Sequence, residues 1–201
     1  MMSETGSVKF NCDHVVTPMP RFREFDKLNE CRRKLLKLGL VGVDGNGIGF
    51  GNVSVRDGAS AQFYITGSAT GGIAELTPAN CAKVVRYDFS RNWLRCEGST
   101  VASSESLTHA AIYEADPAVN AVIHCHDTKL WTSFCGKAPT TPKEAEYGTL
   151  EMAYAVRRLF ENSDVQKKKM FVMSAHDGGI VTFGKDLEEA FETLLEQHTR
   201  A

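Results

Sequence analysis

The segment Ala121–His126 constrains this chain most, because an apolar run ends there in His-Cys-His. Its length and composition are those of a buried strand. Side chains alternate between the two faces of a strand, so His124 and His126 point to one side and Cys125 to the other. We therefore expect a sheet that presents two imidazoles together at the end of one buried strand.

The rest of the chain predicts helices that separate clusters of short strands. Glycine, asparagine and aspartate divide the β-type runs, whereas the helices show apolar residues at helical spacing. We expect helices at 25–38, 103–115, 149–160 and from Asp186, and strands at 51–55, 62–66, 84–89, 93–96, 121–126, 170–174 and 180–183. This order predicts an α/β fold: a single domain, residues 25–201, with a central, largely antiparallel sheet flanked by helices. Residues 1–24 are expected to form an irregular lead-in.

Composition excludes several classes of partner. A net charge of -2 with scattered basic residues provides no surface for nucleic acid. No apolar run is long enough to span a membrane, and the first residues lack the apolar core of a signal peptide. The six cysteines form no Cys-x-x-Cys pair and are expected to be reduced. These features favour a cytoplasmic protein that binds neither nucleic acid nor a membrane.

A third histidine, His176, ends another apolar run and enters the turn Asp177-Gly178-Gly179. Three imidazoles with an open coordination position are typical of a catalytic zinc site, whereas a closed structural site recruits four protein ligands. Cys125 would be a fourth ligand only if its strand were broken. A single histidine in a strand is more often a satisfied core residue, so the hypothesis depends on all three.

Glu105 is the carboxylate candidate, at the start of the helix predicted over 103–115. An acid in a first helical turn is often there only to complement the helix dipole. His109 lies four residues further on and hence on the same helical face. It is either a hydrogen-bond partner of Glu105 or a packing residue.

Taken in order, several motifs make the chain similar to the class II aldolase/adducin family. They are Gly51-Asn52-Val53-Ser54, Ile65-Thr66, Thr70-Gly71, Leu76-Thr77-Pro78, Ser103-Ser104-Glu105 with His109, His124-Cys125-His126, His176 and Gly184-Lys185-Asp186. The resemblance implies that His124, His126 and His176 bind zinc, or another divalent ion such as Mn, Co or Fe, and that Glu105 is the acid/base. It implies a substrate-phosphate pocket built from Gly51, Asn52, Thr70, Gly71, Ser103 and Ser104.

The implied activity is that of a lyase that stabilises an enediolate or carbanion of a small, phosphorylated sugar or hydroxy-carbonyl compound. Aldol cleavage, epimerisation, dehydration and decarboxylation all fit this chemistry. The resemblance also implies a homo-oligomer, commonly a tetramer. The alternatives are a catalytically silent, adducin-like scaffold and a purely structural zinc site.

Among the departures of the chain from the family pattern, two change the residues expected at the site. The family segment Ile-Thr-Pro-Ser/Thr-Gly is replaced by the longer Ile65–Gly71, so Thr66-Gly67 is an alternative to Thr70-Gly71 in the phosphate pocket. The part that carries the catalytic tyrosine of the aldolases is missing after His126. Tyr113 and Tyr147 lie near the motifs but do not align with that tyrosine.

Overall fold

A computed structural model describes residues 9–199. The strands are β1 Asn11–Val16, β2 Gly42–Val43, β3 Gly49–Phe50, β4 Asn52–Arg56, β5 Phe63–Thr66, β6 Cys81–Asp88, β7 Trp93–Gly98, β8 Ala121–His126, β9 Met170–Val172 and β10 Gly179–Gly184. Eight of them form one sheet in the order β1-β7-β6-β5-β4-β8-β10-β9, and β2 and β3 form a separate hairpin. The helices are α1 Phe25–Lys37, α2 Ser106–Ala115, α3 Thr128–Phe134, α4 Leu150–Asn162, α5 Val165–Lys168 and α6 Leu187–His198.

Helices cover both faces of the sheet, and each face has its own apolar core. On one face, α2 and α4 pack on side chains that include Val122, Val181 and Phe183. On the other face, α1 and α6 pack on side chains that include Ile123, Cys125 and Ile180. Consecutive residues of β8 therefore enter different cores, as strand alternation requires.

The predicted fold class is confirmed: the structure is a single α/β domain with a mostly antiparallel sheet flanked by helices. The β8 strand has the predicted bounds, and α6 begins after Asp186, whose side chain accepts a hydrogen bond from the Glu189 backbone N–H at 2.9 Å. The sequence did not predict α3, the β2-β3 hairpin or α5. Among residues 9–199, no helix combines the length and apolarity needed to cross a membrane. All six cysteines are free thiols.

The N-terminal lead-in differs from the prediction, because residues 11–16 form the strand β1. This strand pairs with β7 in parallel, and every other strand pair of the sheet is antiparallel. Parallel pairing with a segment about eighty positions away leaves no local pattern in the sequence. The polar residues Asn11, Asp13 and His14 also make the segment look unlike a strand. The remainder of the lead-in, where it is described, is irregular up to α1.

Candidate metal centre

The β8 strand delivers two imidazoles to one face, as the sequence predicts. His124 and His126 have ring centroids 5.1 Å apart. Cys125 is fully buried among the side chains that face α1 and α6. Because β8 is unbroken, the Cys125 thiol points away from the imidazoles and the alternative of a Cys125 ligand is wrong.

His176 joins them from the turn between β9 and β10. Three backbone hydrogen bonds shape this turn: Met173 N–H to the Gly179 carbonyl, His176 N–H to the Met173 carbonyl, and Gly179 N–H to the His176 carbonyl. A Cβ on Gly179 would lie 2.8 Å from the His176 ring, so glycine leaves room for the imidazole. Each of the three histidines offers one ring nitrogen within 4.8 Å of the others, and the Nε2 atoms of His126 and His176 are 2.8 Å apart.

Burial keeps these imidazoles uncharged. It lowers the pKa of His126 to about 4 and of His176 to about 3, and it lowers the pKa of His124 well below its usual value, with neighbouring imidazoles adding to the effect. The His124 Nδ1 lies 3.3 Å from the Ile180 carbonyl, which makes it the donor and leaves Nε2 with a free lone pair. Neutral imidazole nitrogens are ligands that divalent transition metals accept, so these residues fit a metal ion.

Glu105 immediately precedes α2, which begins at Ser106 and not at 103 as predicted. Its side chain is 3% exposed, and the Thr108 hydroxyl donates to Oε2 at 2.8 Å. Oε1 is buried and has no hydrogen-bond partner within residues 9–199. Burial raises the pKa of Glu105 to about 7. The carboxyl group can therefore exist in either protonation state near neutral pH.

Within the described residues, the Glu105 side chain accepts a hydrogen bond from Thr108 and none from His109, whose buried Nε2 has no partner there. The Nδ1 of His109 lies 2.7 Å from Ser54 Oγ, which in turn lies 2.7 Å from the Tyr113 hydroxyl. Burial lowers the pKa of His109 to about 3. The packing alternative for His109 is therefore the correct one, with a hydrogen-bond network in addition.

Four of the residues predicted to bind phosphate adjoin the histidines or Glu105. Asn52 lies opposite His124 in the β4-β8 register, so the two side chains share a face, and the buried Asn52 Oδ1 has no partner among the described residues. Gly51 has φ +77°, and a Cβ there would collide with Val41. Ser103 is buried, and its Oγ accepts a long hydrogen bond of 3.4 Å from the Glu105 backbone N–H. Ser104 is half-buried beside it.

The two alternative Thr-Gly pairs occupy different places. Thr66 Oγ1 accepts a hydrogen bond from the Val53 backbone N–H at 3.2 Å, and Gly67 forms a bridge with Ala102, directly before Ser103. Thr70-Gly71 instead packs on the β2-β3 hairpin, where a Cβ on Gly71 would collide with the Gly42 carbonyl. The Arg32 guanidinium binds the carbonyls of Thr70 and Gly71 at 2.8 and 2.6 Å. Thr66-Gly67 thus contacts Val53 and Ala102, which are the chain neighbours of Asn52 and Ser103.

Two residues for which the sequence predicts no role, Tyr147 and Lys9, also lie at this centre. The Tyr147 ring packs against the His176 ring with centroids 4.4 Å apart, and the Lys9 ammonium lies 4.0 Å from the centroid of the Tyr147 ring. Tyr147 lies near a family motif, but that position does not indicate a contact with His176. Lys9 precedes β1, and no motif or periodic pattern includes it.

A separate groove of about 950 Å³ lies on the opposite face of the sheet, between α1 and α6. Its lining includes Phe22, Phe191 and Leu195 but none of the histidines and neither Glu105 nor Asn52. Among residues 9–199, the groove holds no group of three histidine, cysteine or carboxylate side chains placed to share one metal ion, whereas the three histidines form such a group. The three histidines therefore remain the candidate site.

Comparison with known proteins agrees with the fold and the motifs. The sequence model of the class II aldolase and adducin N-terminal domain matches residues 26–201. An L-fuculose phosphate aldolase of Methanococcus maripaludis is 31% identical over 157 residues, which are 70% of this chain and 76% of the relative. A solved L-fuculose 1-phosphate aldolase has a TM-score of 0.68 at 21% identity, covering 90% of this chain and 84% of its own. The L-fuculose-1-phosphate aldolase of Thermus thermophilus has a TM-score of 0.61 at 20% identity, covering 89% of this chain and 91% of its own.

The fold and these relatives define the class of the protein, which is an aldolase-like lyase. The chain belongs to the class II aldolase and adducin family. Class II aldolases depend on a divalent metal ion, and the three histidines provide a group that can hold one.

Proposed function

We propose that the protein is a zinc-dependent lyase in which His124, His126 and His176 hold the ion and Glu105 moves the proton. The substrate is a small, phosphorylated sugar or hydroxy-carbonyl compound. The observation that carries the proposal is the convergence of three neutral imidazoles within 4.8 Å, contributed by β8 and the β9-β10 turn. Zinc suits three nitrogen ligands with an open position, and Mn, Co or Fe would occupy the same donors.

A bound divalent ion would polarise the substrate carbonyl and favour negative charge on the neighbouring carbon. Glu105 suits the accompanying proton transfer for two reasons. Its pKa of about 7 makes both protonation states accessible at neutral pH, as general acid–base catalysis requires. Thr108 fixes Oε2 and leaves the buried Oε1 available to a substrate proton.

The substrate phosphate is proposed to bind beside this centre, on Gly51, Asn52, Ser103, Ser104 and the 66–71 loop. Asn52 and the two serines supply neutral hydrogen-bond donors, and glycine allows the backbone to come close to an anion. Within the loop, contact with Ala102 favours Thr66-Gly67 as the part nearest the phosphate, with Thr70 and Gly71 behind it. Binding of the remote phosphate then orients the reacting end of the substrate.

Metal analysis of the purified protein tests the proposal. After incubation with zinc and removal of the excess, the wild type should retain about one ion per chain, because the donors are preformed. The His124→Ala, His126→Ala double variant should retain none. His14→Ala is the matched control, since His14 lies on β1 and bonds to the Gly98 carbonyl, away from the three ligands. If the wild type retains no more zinc than the double variant, the enzyme proposal is contradicted and the catalytically silent scaffold is favoured.

Two further measurements separate the remaining alternatives. A purely structural zinc site predicts that chelation unfolds the protein, since binding energy would then be folding energy. The catalytic site proposed here predicts a chelated protein that still melts cooperatively. Product analysis with a panel of free and phosphorylated ketoses and aldoses then identifies the reaction.

We also propose a homotetramer, which is the assembly that the family resemblance implies. Light scattering of the zinc-loaded protein measures its mass in solution. A monomer would contradict this part of the proposal without affecting the metal centre.

A further inference from the structure

Lys9 is held at the metal centre by a segment that lies outside the part of the chain matched by the family model, residues 26–201. Its carbonyl accepts a hydrogen bond of 2.9 Å from the Asn92 side-chain amide, and two residues on the Asn11 backbone N–H donates to the Asn92 carbonyl at 2.8 Å. These bonds continue the parallel pairing of β1 with β7. The backbone of Lys9 is therefore fixed to the edge of the sheet.

The Lys9 side chain reaches from this edge towards the histidines. Its ammonium lies over the Tyr147 ring at 4.0 Å from the centroid, and that ring packs on His176. The side chain is 22% exposed, which is low for a lysine near the N-terminus. Burial has the largest effect on the pKa of Glu105 and raises it, and the positive charge of Lys9 acts in the opposite direction. The ammonium therefore lies close enough to the proposed acid/base to affect it.

The counterion of Lys9 is weakly held. Glu146 lies 3.2 Å from the ammonium, but its side chain is 67% exposed. Ion pairs with so exposed a partner contribute little to stability, because water screens them and two long side chains must be ordered. Across residues 9–199, Glu146 is the single hydrogen-bond acceptor of the Lys9 ammonium, and within that range two of its three N–H donors have no partner. An incoming anion can therefore replace or join Glu146 at little cost.

We propose that Lys9 binds the anionic group of the substrate, a phosphate or a carboxylate, and supplies the positive charge that the neutral donors of the proposed phosphate pocket lack. Asn52, Ser103 and Ser104 bring hydrogen bonds but no charge. This inference rests on the proposed function, since it assumes an anionic substrate at the metal centre. It adds a binding residue from outside the matched family region.

A purely structural role for Lys9 makes a different prediction about Glu146. If the ion pair only tethers the loop at Glu146-Tyr147, then Lys9→Met and Glu146→Gln remove the same interaction and should have equal effects. If Lys9 binds an anion, Glu146 competes with that anion. Glu146→Gln should then leave anion binding unchanged or strengthen it, whereas Lys9→Met weakens it.

Calorimetric titration of the metal-free protein with inorganic phosphate tests the proposal, because without the metal no anion binds through the ion. We expect Lys9→Met to weaken phosphate binding about tenfold, the loss of one charge-assisted hydrogen bond, and Lys9→Arg to retain most of it. Glu146→Gln should bind phosphate at least as tightly as the wild type. Lys143→Met is the matched control, since Lys143 is exposed on the same connection and forms no ion pair within the described residues. The same titration with acetate distinguishes a carboxylate from a phosphate preference.

The proposal is overturned if Lys9→Met binds phosphate like the wild type, if Lys9→Met and Glu146→Gln weaken it equally, or if the folded wild type binds neither anion. Thermal melting confirms that each variant is folded. Zinc content is measured in parallel and should be equal in Lys9→Met and the wild type. A failure of zinc binding and a failure of anion binding are thus separate results.

Discussion

The Nε2 atoms of His126 and His176 lie 2.8 Å apart, although the two residues are separated by fifty positions in the sequence. The pairing of β10 with β8 brings them together, because Gly179 lies opposite His126 and His176 occupies the turn just before Gly179. Two neutral imidazoles at this separation share one hydrogen bond. A metal ion bound to both Nε2 atoms would replace that bond: the donor imidazole would carry its proton on Nδ1 instead, and the two nitrogens, which already lie together, would separate slightly.

His176→Ala should weaken zinc binding by at least about a hundredfold, because one of three donors is lost. The remaining pair on β8 keeps its place, since the strand does not depend on the turn. Competition with a chromogenic chelator measures the affinity, with His14→Ala as control. Equal affinity of His176→Ala and wild type would show that the ion binds elsewhere.

Glu105→Gln should keep zinc and lose turnover by about 10² to 10⁴, the range for a general acid–base residue. Glutamine has the shape of the carboxylic acid and can still accept from Thr108, but it cannot take a proton. Exchange of the substrate proton with deuterated solvent, followed by NMR, measures the step directly. Glu188→Gln, at an exposed position of α6, is the control and should exchange at the wild-type rate.

The metal-free protein should lose stability relative to Glu105→Gln as the pH rises from 4.5 to about 7. Burial raises the pKa of Glu105 from 4.5 to about 7, so the folded state holds the proton more tightly than the unfolded chain. Its stabilising contribution is complete below pH 4.5 and is lost as the pH passes the folded-state pKa, by at most about 3 kcal/mol. Urea unfolding of both proteins in the presence of a chelator measures the difference.

The comparison with Glu105→Gln is necessary because the buried histidines act in the opposite direction. Their pKa values are lowered to about 4 for His126 and about 3 for His109 and His176, so the folded state loses stability as the pH falls below 6.5. This contribution is common to both proteins and cancels in the difference. Parallel pH profiles of the two proteins would contradict the raised pKa of Glu105.

Gly51→Ala should destabilise the protein by about 2 kcal/mol or more and weaken zinc binding. Alanine is strained at φ +77°, and its Cβ would collide with Val41 and lie 3.2 Å from the His124 carbonyl. The backbone beside His124 must then shift. Gly45→Ala is the matched control, because a Cβ there meets nothing within 4 Å. Thermal unfolding and zinc affinity, measured on both variants, check the prediction.

The central part of the site was predictable because its signals are local. Alternation along a strand placed His124 and His126 on one face, and an apolar run followed by a glycine turn marked His176. The helix start was predicted three residues early, because Ser103-Ser104 are compatible with a first turn. In the structure the Ser103 carbonyl instead accepts a hydrogen bond from the Ser106 backbone N–H, at the point where α2 begins.

The contribution of Lys9 was not predictable, because it depends on contacts between distant segments. Its position follows from the pairing of β1 with β7 and from the packing of Tyr147 on His176, and neither leaves a pattern along the chain. The contact partners of Thr66-Gly67 and Thr70-Gly71 were likewise not predictable, because the two pairs have the same residue types. The structure distinguishes them: Gly67 forms a bridge with Ala102, whereas Arg32 binds the carbonyls of Thr70 and Gly71.

The strict alternation of β8 has a practical consequence for engineering. A mutant library that varies positions on the α2 side of the sheet can change substrate specificity. The layer packed against α1 and α6 can be kept unchanged to preserve stability. One six-residue strand thus separates the part of the molecule to diversify from the part to preserve.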